Sequence, residues 1–407
     1  MSNDIQPEIR FPGFTEDWEQ RKLGDITESF SGGTPTAGKS EYYGGDIPFI
    51  RSGEISSELT ELFITENGLN NSSAKMVKAG DILYALYGAT SGEVSISRIN
   101  GAINQAILAI RPTKNDNSYL IVQWLRKQKD TIISTYLQGG QGNLSGSIVK
   151  DLVITLPQDK EEQNKIGAFF KQLDDTIALH QRKLDLLKET KKGFLQKMFP
   201  KNGAKVPEIR FPGFTEDWEQ CKLGELANHR GGTAIEKYFK EDGKYKVISI
   251  GSYGLDSKYV DQNIRAVSNK VTDSRVVRTG ELTMVLNDKT ANGTIIGRSL
   301  LIEEDNKYVI NQRTEIISPK ENFDSNFAYV LLNGPFREKV KRIVQGGTQI
   351  YVNYTAVSNL IFKLPDIKEQ KKIGTFFKQL DDTIALHQRK LDLLKETKKG
   401  FLQKMFV

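Results

Sequence analysis

Two long stretches of the chain carry apolar residues at alternating spacings of three and four positions. The first begins near Glu161, contains no proline before Pro200, and predicts a helix of about 38 residues. A near copy of it lies at the end of the chain. An apolar stripe with this spacing is typical of a coiled coil, so the two helices are expected to pair with each other in an antiparallel arrangement. The predicted helix-pairing seam consists of Phe170, Leu173, Ile177, His180, Leu184 and Leu187 in the first helix and Phe377, Leu380, Ile384, His387, Leu391 and Leu394 in the second.

The middle of each half has a different pattern, in which short runs of alternating apolar and polar residues lie between Gly, Asn and Asp turns. Such runs predict half-buried strands, for example at residues 93–97 and 309–313. Each middle also carries one amphipathic helical stretch, at residues 119–137 and 326–344, followed by a Gly-Gly loop, a further strand and a Leu-Pro pair. Each half is therefore expected to contain a mixed α/β domain.

The chain is an internal duplication, and the repeated segments enclose middles that have diverged. Residues 7–20, PEIRFPGFTEDWEQ, recur unchanged at 207–220, and residues 166–199 recur at 373–406 with a single substitution. The enclosed middles share only sparse motifs in the same order. This distribution predicts one fold present twice, in which the repeated segments do the same job and the middles do two different jobs.

The fold class expected from these patterns is α+β. Two similar mixed α/β domains are joined by two long helices that form an antiparallel coiled coil, with pseudo-twofold symmetry. The expected boundaries are a first domain at 1–155, a first spacer helix at 156–200, a second domain at 201–363 and a second spacer helix at 364–407.

Composition narrows the classes of protein that remain. Hydrophobic residues make up 38% of the 407 residues and charged residues 27%, a balance that supports packed domains. No apolar run approaches the ~18 residues of a membrane span and the N-terminus does not resemble a signal peptide, so a cytoplasmic protein without membrane contact is expected. One cysteine and three histidines exclude a structural zinc and leave no credible catalytic constellation or metal site. The net charge of +6 permits nucleic-acid binding without requiring it.

One segment resembles a nucleotide-binding motif. Residues 33–40, GTPTAGKS, match the P-loop pattern G-x-x-x-x-G-K-[ST]. The mechanism of a P-loop needs a helix directly after the motif, and the glycines and proline between residues 44 and 48 leave little room for one. A P-loop NTPase with a helical oligomerisation segment therefore stays an alternative, as does a scaffold whose two halves bind two different proteins.

Turn-rich segments of both middles carry aromatic, amide and basic side chains that suit base edges and phosphates. Arginine can pair bidentately with guanine, and asparagine or glutamine with adenine. These residues are candidate DNA contacts, although an ordinary surface or turn role is open for each of them. The candidates are Thr34, Lys39, Tyr42, Tyr43, Arg51, Tyr87, Thr90, Asn104, Gln105, Gln141 and Asn143 in the first half and Lys237, Asn287, Lys289, Asn311, Gln312, Arg313, Gln349 and Tyr351 in the second.

Further motifs occur along the chain: WEQRKLG at 18–24, GGTP at 32–35, YYGGDI at 42–47, GDILYALYGATSG at 80–92, the INQ triplet at 103–105 and the LP-x4-EQ-x-x-I entry into each long helix. Together these motifs resemble the specificity subunit of type I restriction-modification systems, and the resemblance covers the whole chain. The second half departs in part, with Cys221 in place of Arg21, GGTA in place of GGTP and MVLNDKTANG in place of YALYGATSG.

The resemblance implies a function that requires no active site in this chain. In that family each half is a target-recognition domain that reads one part of a split, asymmetric site on double-stranded DNA, and the two helices form an antiparallel spacer. The implied partners are two copies of a modification subunit, which uses S-adenosylmethionine to methylate adenine at N6, and restriction subunits, which use ATP and Mg²⁺. No cofactor is expected in this chain itself.

Overall fold

The computed structural model describes residues 6–137, 143–201, 203–289 and 291–407. The chain divides into two compact units, one of residues 1–182 with 389–407 and one of residues 183–388. Each unit contains one mixed α/β domain together with a stretch of each long helix.

The domain of the first unit is built from short strands and helices. Its strands are β1 (Glu19–Lys22), β2 (Thr27–Ser31), β3 (Tyr43–Ile50), β4 (Phe63–Ile64), β5 (Lys75–Val77), β6 (Ile82–Ala85), β7 (Val94–Ile96), β8 (Gly101–Ile103), β9 (Ile107–Pro112) and β10 (Val153–Leu156). Its helices are α1 (Leu23–Ile26), α2 (Glu66–Asn70), α3 (Ser118–Tyr136) and α4 (Gly146–Asp151), and the first long helix is α5 (Lys160–Lys197).

Three sheets organise this domain. One has the order β2-β9-β6-β7 and is antiparallel throughout, and a second has the order β4-β3-β8-β5 with a parallel pair at β3 and β8. Strands β1 and β10 form an antiparallel pair next to the start of the long helix. Strand β6 and residues 107–110 of β9 are buried, so the first sheet lies at the centre of the core.

The second unit repeats this plan with different residues. Its strands are β11 (Glu219–Lys222), β12 (Ala227–Gly231), β13 (Tyr245–Ile248), β14 (Arg265–Ala266), β15 (Val276–Val277), β16 (Leu282–Val285), β17 (Asn287–Asp288), β18 (Ser299–Leu301), β19 (Tyr308–Ile310), β20 (Thr314–Pro319), β21 (Ile350–Tyr351) and β22 (Ile361–Leu364). Its helices are α6 (Leu223–Leu226), α7 (Lys270–Asp273), α8 (Ser325–Asn333), α9 (Pro335–Lys341) and α10 (Tyr354–Ser358), and the second long helix is α11 (Ile367–Lys404).

The sheet order is the same in both units. The orders β12-β20-β16-β18 and β14-β13-β19-β15 correspond strand by strand to those of the first unit, including the parallel pair, now at β13 and β19. One additional pair, β17 with β21, occurs in the second unit. The prediction that the diverged middles share one fold is therefore confirmed.

The two long helices run antiparallel within each unit. In the first unit Phe169 of α5 packs edge-on against Phe401 of α11, with ring centroids 5.0 Å apart, and in the second unit Phe194 packs in the same way against Phe376. The predicted seam residues are all buried or half-buried. These observations, with the two mixed domains, confirm the predicted fold class of two α/β domains linked by long helices that pack together.

The repeated N-terminal segment attaches to both helices of its unit. The Arg10 guanidinium donates two hydrogen bonds, of 2.6 and 2.8 Å, to the buried Glu162 carboxylate at the start of α5. The neighbouring Ile9 amide donates to the Lys404 carbonyl at the end of α11. The second copy makes the same contacts. Arg210 donates to the Glu369 carboxylate, and the Ile209 amide donates to the Lys197 carbonyl at the end of α5. The repeated segments therefore do the same structural job twice.

Two predicted elements differ from those observed. Strand β19 ends at Ile310, and residues 311–313 form a turn in which Arg313 has a positive φ of 67°. The predicted helix at 326–344 is two helices, α8 and α9, because Gly334 leaves the helical region (φ −102°, ψ −119°) and Pro335 has no amide hydrogen to continue the helix. Among the described residues, no helix is long and apolar enough to cross a membrane.

Candidate functional site

A glycine in each domain lets one loop approach a neighbouring backbone very closely. A Cβ atom on Gly32 would lie 1.8 Å from the Ile103 carbonyl oxygen, and one on Gly232 would lie 1.9 Å from the Asn311 carbonyl oxygen. Only glycine fits at either position. The strand register aligns Gly32 with Gly232, so the GGTP and GGTA motifs are offset by one residue.

This approach places several candidate residues of the first domain next to one another. The Thr34 hydroxyl donates to Gln105 Oε1 at 2.7 Å. Tyr87 and Asn143 form an isolated antiparallel bridge. The Leu86 amide donates to the carbonyl of Ala106, the residue that follows the INQ triplet. We call Thr34, Tyr87, Asn104, Gln105 and Asn143 the first loop cluster. Its side chains are exposed or half-buried, and come from four separate parts of the sequence.

The second domain forms a corresponding cluster with different side chains. Strand β17 pairs with β21, which places Asn287 opposite Tyr351, and the residue 286 amide donates to the Arg313 carbonyl. Tyr351 is 46% exposed, unusually high for an aromatic side chain. We call Asn287, Gln312, Arg313 and Tyr351 the second loop cluster.

The left-handed backbone at Arg313 is a notable feature of the second loop cluster. For a residue with a Cβ atom this conformation costs about 1 kcal/mol, and such strain occurs preferentially at functional sites. The Arg313 side chain is exposed, so its guanidinium is accessible to a ligand.

A buried arginine positions the loop that follows β17. Arg337 of α9 donates hydrogen bonds to the carbonyl oxygens of Gly293, Thr294 and Ile296, at 2.8–3.0 Å. Burial lowers the pKa of Arg337 to about 10, which still leaves the guanidinium charged at neutral pH. The side chain therefore holds the loop that begins at the second loop cluster.

The residues near the P-loop-like motif do not form a phosphate cradle. Lys39 precedes a single 3₁₀ turn, Ser40–Tyr42, and strand β3 begins at the next residue. The Lys39 ammonium donates to the Tyr42 hydroxyl at 3.0 Å, and this hydrogen bond raises the pKa of Lys39. Without a helix after the motif the P-loop mechanism has no structural basis here, which agrees with the expectation from the sequence.

Three candidates lie in environments that favour a structural role. Tyr42 and Asn311 are 6% and 7% exposed, so their side chains are less accessible to a base than those of the other described candidates. The Arg51 guanidinium is held by two carboxylates, Glu54 at 2.7 Å and Glu61 at 3.2 Å, and this pairing lowers the pKa of Glu54 to about 2.

The remaining candidates are placed as follows. Lys237 is exposed in a 3₁₀ turn, Glu236–Tyr238, Lys289 and Gln349 are exposed on loops of the second domain, and Thr90 is half-buried. The Tyr43 hydroxyl donates to the Pro35 carbonyl and so ties β3 to the loop after Gly32. Gln141 lies outside the described residues.

Two residues that shape the second loop cluster are not among the candidates predicted from the sequence. Glu236 accepts hydrogen bonds from the side-chain amides of Asn311, at 3.0 Å, and Gln312, at 2.9 Å, and the bond from Asn311 lowers its pKa. The second such residue is Arg337, which holds the loop after β17 as described above. Neither carried a local signal, because each acts on residues more than 40 positions away along the chain.

Comparisons with known proteins agree on one family. A family model described as "Type I restriction modification DNA specificity domain" matches residues 15–189 and again 215–396. The chain is 24% identical over 404 residues to the type I restriction enzyme MjaVIII specificity subunit of Methanocaldococcus jannaschii, covering 95% of this chain and 91% of the relative. It is 25% identical over 420 residues to the MjaIX specificity subunit of the same organism, with 96% and 93% covered.

Solved structures share the fold. A crystal structure of the type I restriction-modification S subunit from M. genitalium superposes with a TM-score of 0.70 at 15% identity, covering 99% of both chains. A structure from work on the assembly and conformational transition of the type I system gives a TM-score of 0.50 at 16% identity, with 98% and 99% covered.

Proposed function

Because this chain belongs to the family of type I restriction-modification DNA specificity proteins, we propose that its two loop clusters read the two parts of a split, asymmetric site on double-stranded DNA. The chain is the specificity subunit, the non-catalytic component of the restriction-modification enzyme. Under this proposal residues 1–155 and 201–363 are the two target-recognition domains, and the helices at 156–200 and 364–407 are the spacer.

One observation carries the proposal: the same backbone arrangement presents different side chains in the two domains. The glycine approach and the hydrogen bonds linking the loops occur in both. The hydrogen bond from Thr34 to Gln105 within the first cluster is matched by the hydrogen bond that Gln312 of the second cluster donates to the neighbouring Glu236. Sequence is read by hydrogen bonds to base edges, so two such surfaces on one scaffold suit two different half-sites.

Phosphate contacts are assigned to exposed basic residues near the clusters. Lys39, Lys237 and Lys289 are exposed and supply the charge that positions a protein on DNA without reading its sequence. We propose further DNA contacts for Tyr351, Gln349, Tyr43 and Thr90. We propose that the complex acts in the cytoplasm, where it meets chromosomal DNA.

The division of labour predicts the outcome of exchanging one middle. Replacing residues 21–155 by the corresponding segment of another specificity subunit should change one part of the methylated site and leave the other part unchanged. The reason is that the second loop cluster, within 221–363, is untouched. The measurement is a map of methylated sites across a host genome that expresses the variant with its partners.

The matched control is the reciprocal exchange of residues 221–363, which should change only the other part. Altered bases in both parts after a single exchange would contradict the assignment of one half-site to each domain.

The repeated segments are proposed to dock two copies of one modification subunit, which supplies S-adenosylmethionine and adenine-N6 methylation. Restriction subunits, with ATP and Mg²⁺, complete the complex. Each long helix exposes two leucines seven residues apart, Leu179 and Leu186 in α5 and the corresponding Leu386 and Leu393 in α11. Exposed apolar side chains at one-heptad spacing indicate a surface that another helix covers. Two identical surfaces account for two copies of one partner.

Replacing the leucines by glutamate tests this docking. Leu186 and Leu393 are each 67% exposed, so glutamate should leave the fold intact while placing a charge in the interface. The double variant Leu186→Glu/Leu393→Glu is expected to lose both modification subunits, and each single variant should lose one. Native mass spectrometry of the reconstituted complex counts the subunits.

The control for this experiment is Leu59→Glu, which alters a more exposed leucine, 83% exposed, in the first domain outside the repeated segments. It should retain both modification subunits. Full assembly of the double variant would show that these leucines do not form the docking surface.

A further inference from the structure

A carboxylate in the first unit is surrounded by polar partners from α3 and α11. Asp174 of α5 accepts hydrogen bonds from the Tyr119 hydroxyl at 2.6 Å, the Gln123 amide at 3.2 Å and the Arg126 guanidinium at 2.9 Å. Its other oxygen pairs with the Lys398 ammonium at 2.7 Å. Burial alone would raise the pKa of Asp174, but the bonds from Lys398 and Tyr119 outweigh it and lower the pKa. The site therefore holds two cations around one carboxylate.

The second unit retains the carboxylate but not these partners. Asp381 is the copy of Asp174, 207 residues later, and α8 begins 207 residues after α3. At this offset Tyr119, Gln123 and Arg126 correspond to Asn326, Val330 and Asn333.

The replaced residues leave Asp381 with a single ion pair among the residues that the structure describes. The amide of Asn333 is bonded to the backbone of Ser299, so it does not take the place of the Arg126 guanidinium. Asp381 keeps its ion pair with Lys191, at 2.5 Å, which corresponds to the pair with Lys398 in the first unit.

A cavity of about 320 Å³ lies beside Asp381, entirely within the second unit. Asn326, Val330 and the Tyr329 ring line it, together with Tyr259 and Tyr308. A volume of this size holds a small organic molecule rather than one or two waters. Burial, and after it the negative charge of Asp381, raises the pKa of Tyr329.

Charged groups of both signs line the cavity. Four carboxylates and two ammonium groups line it, the carboxylates being Glu303, Glu304, Asp381 and Asp382 and the ammonium groups Lys258 and Lys378. Lys378 pairs with Glu303 and Glu304 pairs with Lys307. Asp382 has no ion-pair partner in the part of the chain that the structure describes, whereas its copy Asp175 pairs with Lys171.

We propose that this cavity binds a small organic cation whose guanidinium group takes the place that the Arg126 guanidinium occupies in the first unit. The guanidinium would donate to Asp381, as Arg126 does to Asp174, and its planar face would lie against the tyrosine rings, an arrangement favourable to cations. The ligand is either a free molecule or an arginine side chain of a partner protein, since both present the same group. The inference does not depend on the DNA-reading role of the loop clusters.

Calorimetric titration of the full chain with agmatine, a small molecule that ends in a guanidinium, tests the proposal. Saturable binding to one site is expected, and Asp381→Asn should weaken it at least about tenfold, because a neutral amide cannot pair with the cation. The matched control is Asp175→Asn, which alters an exposed carboxylate of the first unit and should leave binding unchanged.

A second variant fills the cavity. Asn326→Tyr introduces the residue that the first unit has at this position, Tyr119, so its hydroxyl should donate to Asp381 and exclude agmatine while raising the melting temperature. Repeating the titration on the complex with modification subunits separates the two sources of the guanidinium. Loss of agmatine binding on assembly identifies a partner's arginine, and retained binding identifies a free ligand.

Two results would overturn the proposal. One is the absence of agmatine binding to the full chain at about 10 mM, a concentration at which even a very weak site would be occupied. The other is binding that Asp381→Asn and Asn326→Tyr both leave unchanged.

Discussion

Replacing Gly32 by alanine is expected to weaken specific DNA binding by the assembled complex about a hundredfold. The new Cβ atom would overlap the Ile103 carbonyl oxygen, only 1.8 Å away, so the loop that carries Thr34 must move away from Gln105. Overpacking of this kind costs up to about 3 kcal/mol, and that amount corresponds to about a hundredfold in affinity. Competition binding with duplexes that contain or lack the site measures the effect, and circular dichroism checks that the chain remains folded.

The same loop offers a matched control. Gly38 has no described atom within 4 Å of its added Cβ and no positive φ, so Gly38→Ala should bind DNA as the unaltered chain does. Gly232→Ala repeats the test in the second domain, where the overlap is with Asn311. Normal methylation of the original site by the Gly32→Ala complex would show that the first loop cluster does not read DNA.

Replacing Glu162 by glutamine should lower the free energy of unfolding by about 3 kcal/mol. The Glu162 carboxylate is fully buried and the Arg10 side chain is 11% exposed, so the variant leaves a buried guanidinium without its counter-charge. Breaking a buried ion pair in this way costs about 3–5 kcal/mol. For a unit of this size the melting temperature should fall by about 10 °C, as measured by scanning calorimetry of the full chain.

Glu369→Gln tests the second copy of this contact and should have a similar effect, because Arg210 and Glu369 have nearly the same geometry and burial. Asp151→Asn is the control: its ion pair with Lys22 is more than half exposed on both sides and should contribute nothing measurable. A change with Glu162→Gln no larger than that with Asp151→Asn would mean that the Arg10 pair does not hold the repeated segment to α5.

The candidate DNA contacts show how far residue type and turn position can predict a site. Tyr87, the adjacent pair Asn104 and Gln105, and Asn143 lie in three separate parts of the sequence, and the structure brings them to one surface. Tyr42 has a residue type equally suited to stacking on a base, yet it is buried. Local sequence does not distinguish these cases, because exposure depends on which distant segments pack against a residue.

The long helices, the duplicated plan and the family could be predicted from the sequence, since apolar spacing, repeats and motifs are properties of residues close together along the chain. The close approach at Gly32, the hydrogen bonds from Arg337 to its loop and the cavity beside Asp381 depend on contacts between distant segments and become visible in the folded chain. Asp174 and Asp381 lie in identical local sequence, yet one carboxylate is surrounded by Tyr119, Gln123 and Arg126 while the other faces an open cavity. The difference comes from residues about 50 positions away, which folding alone places beside each carboxylate.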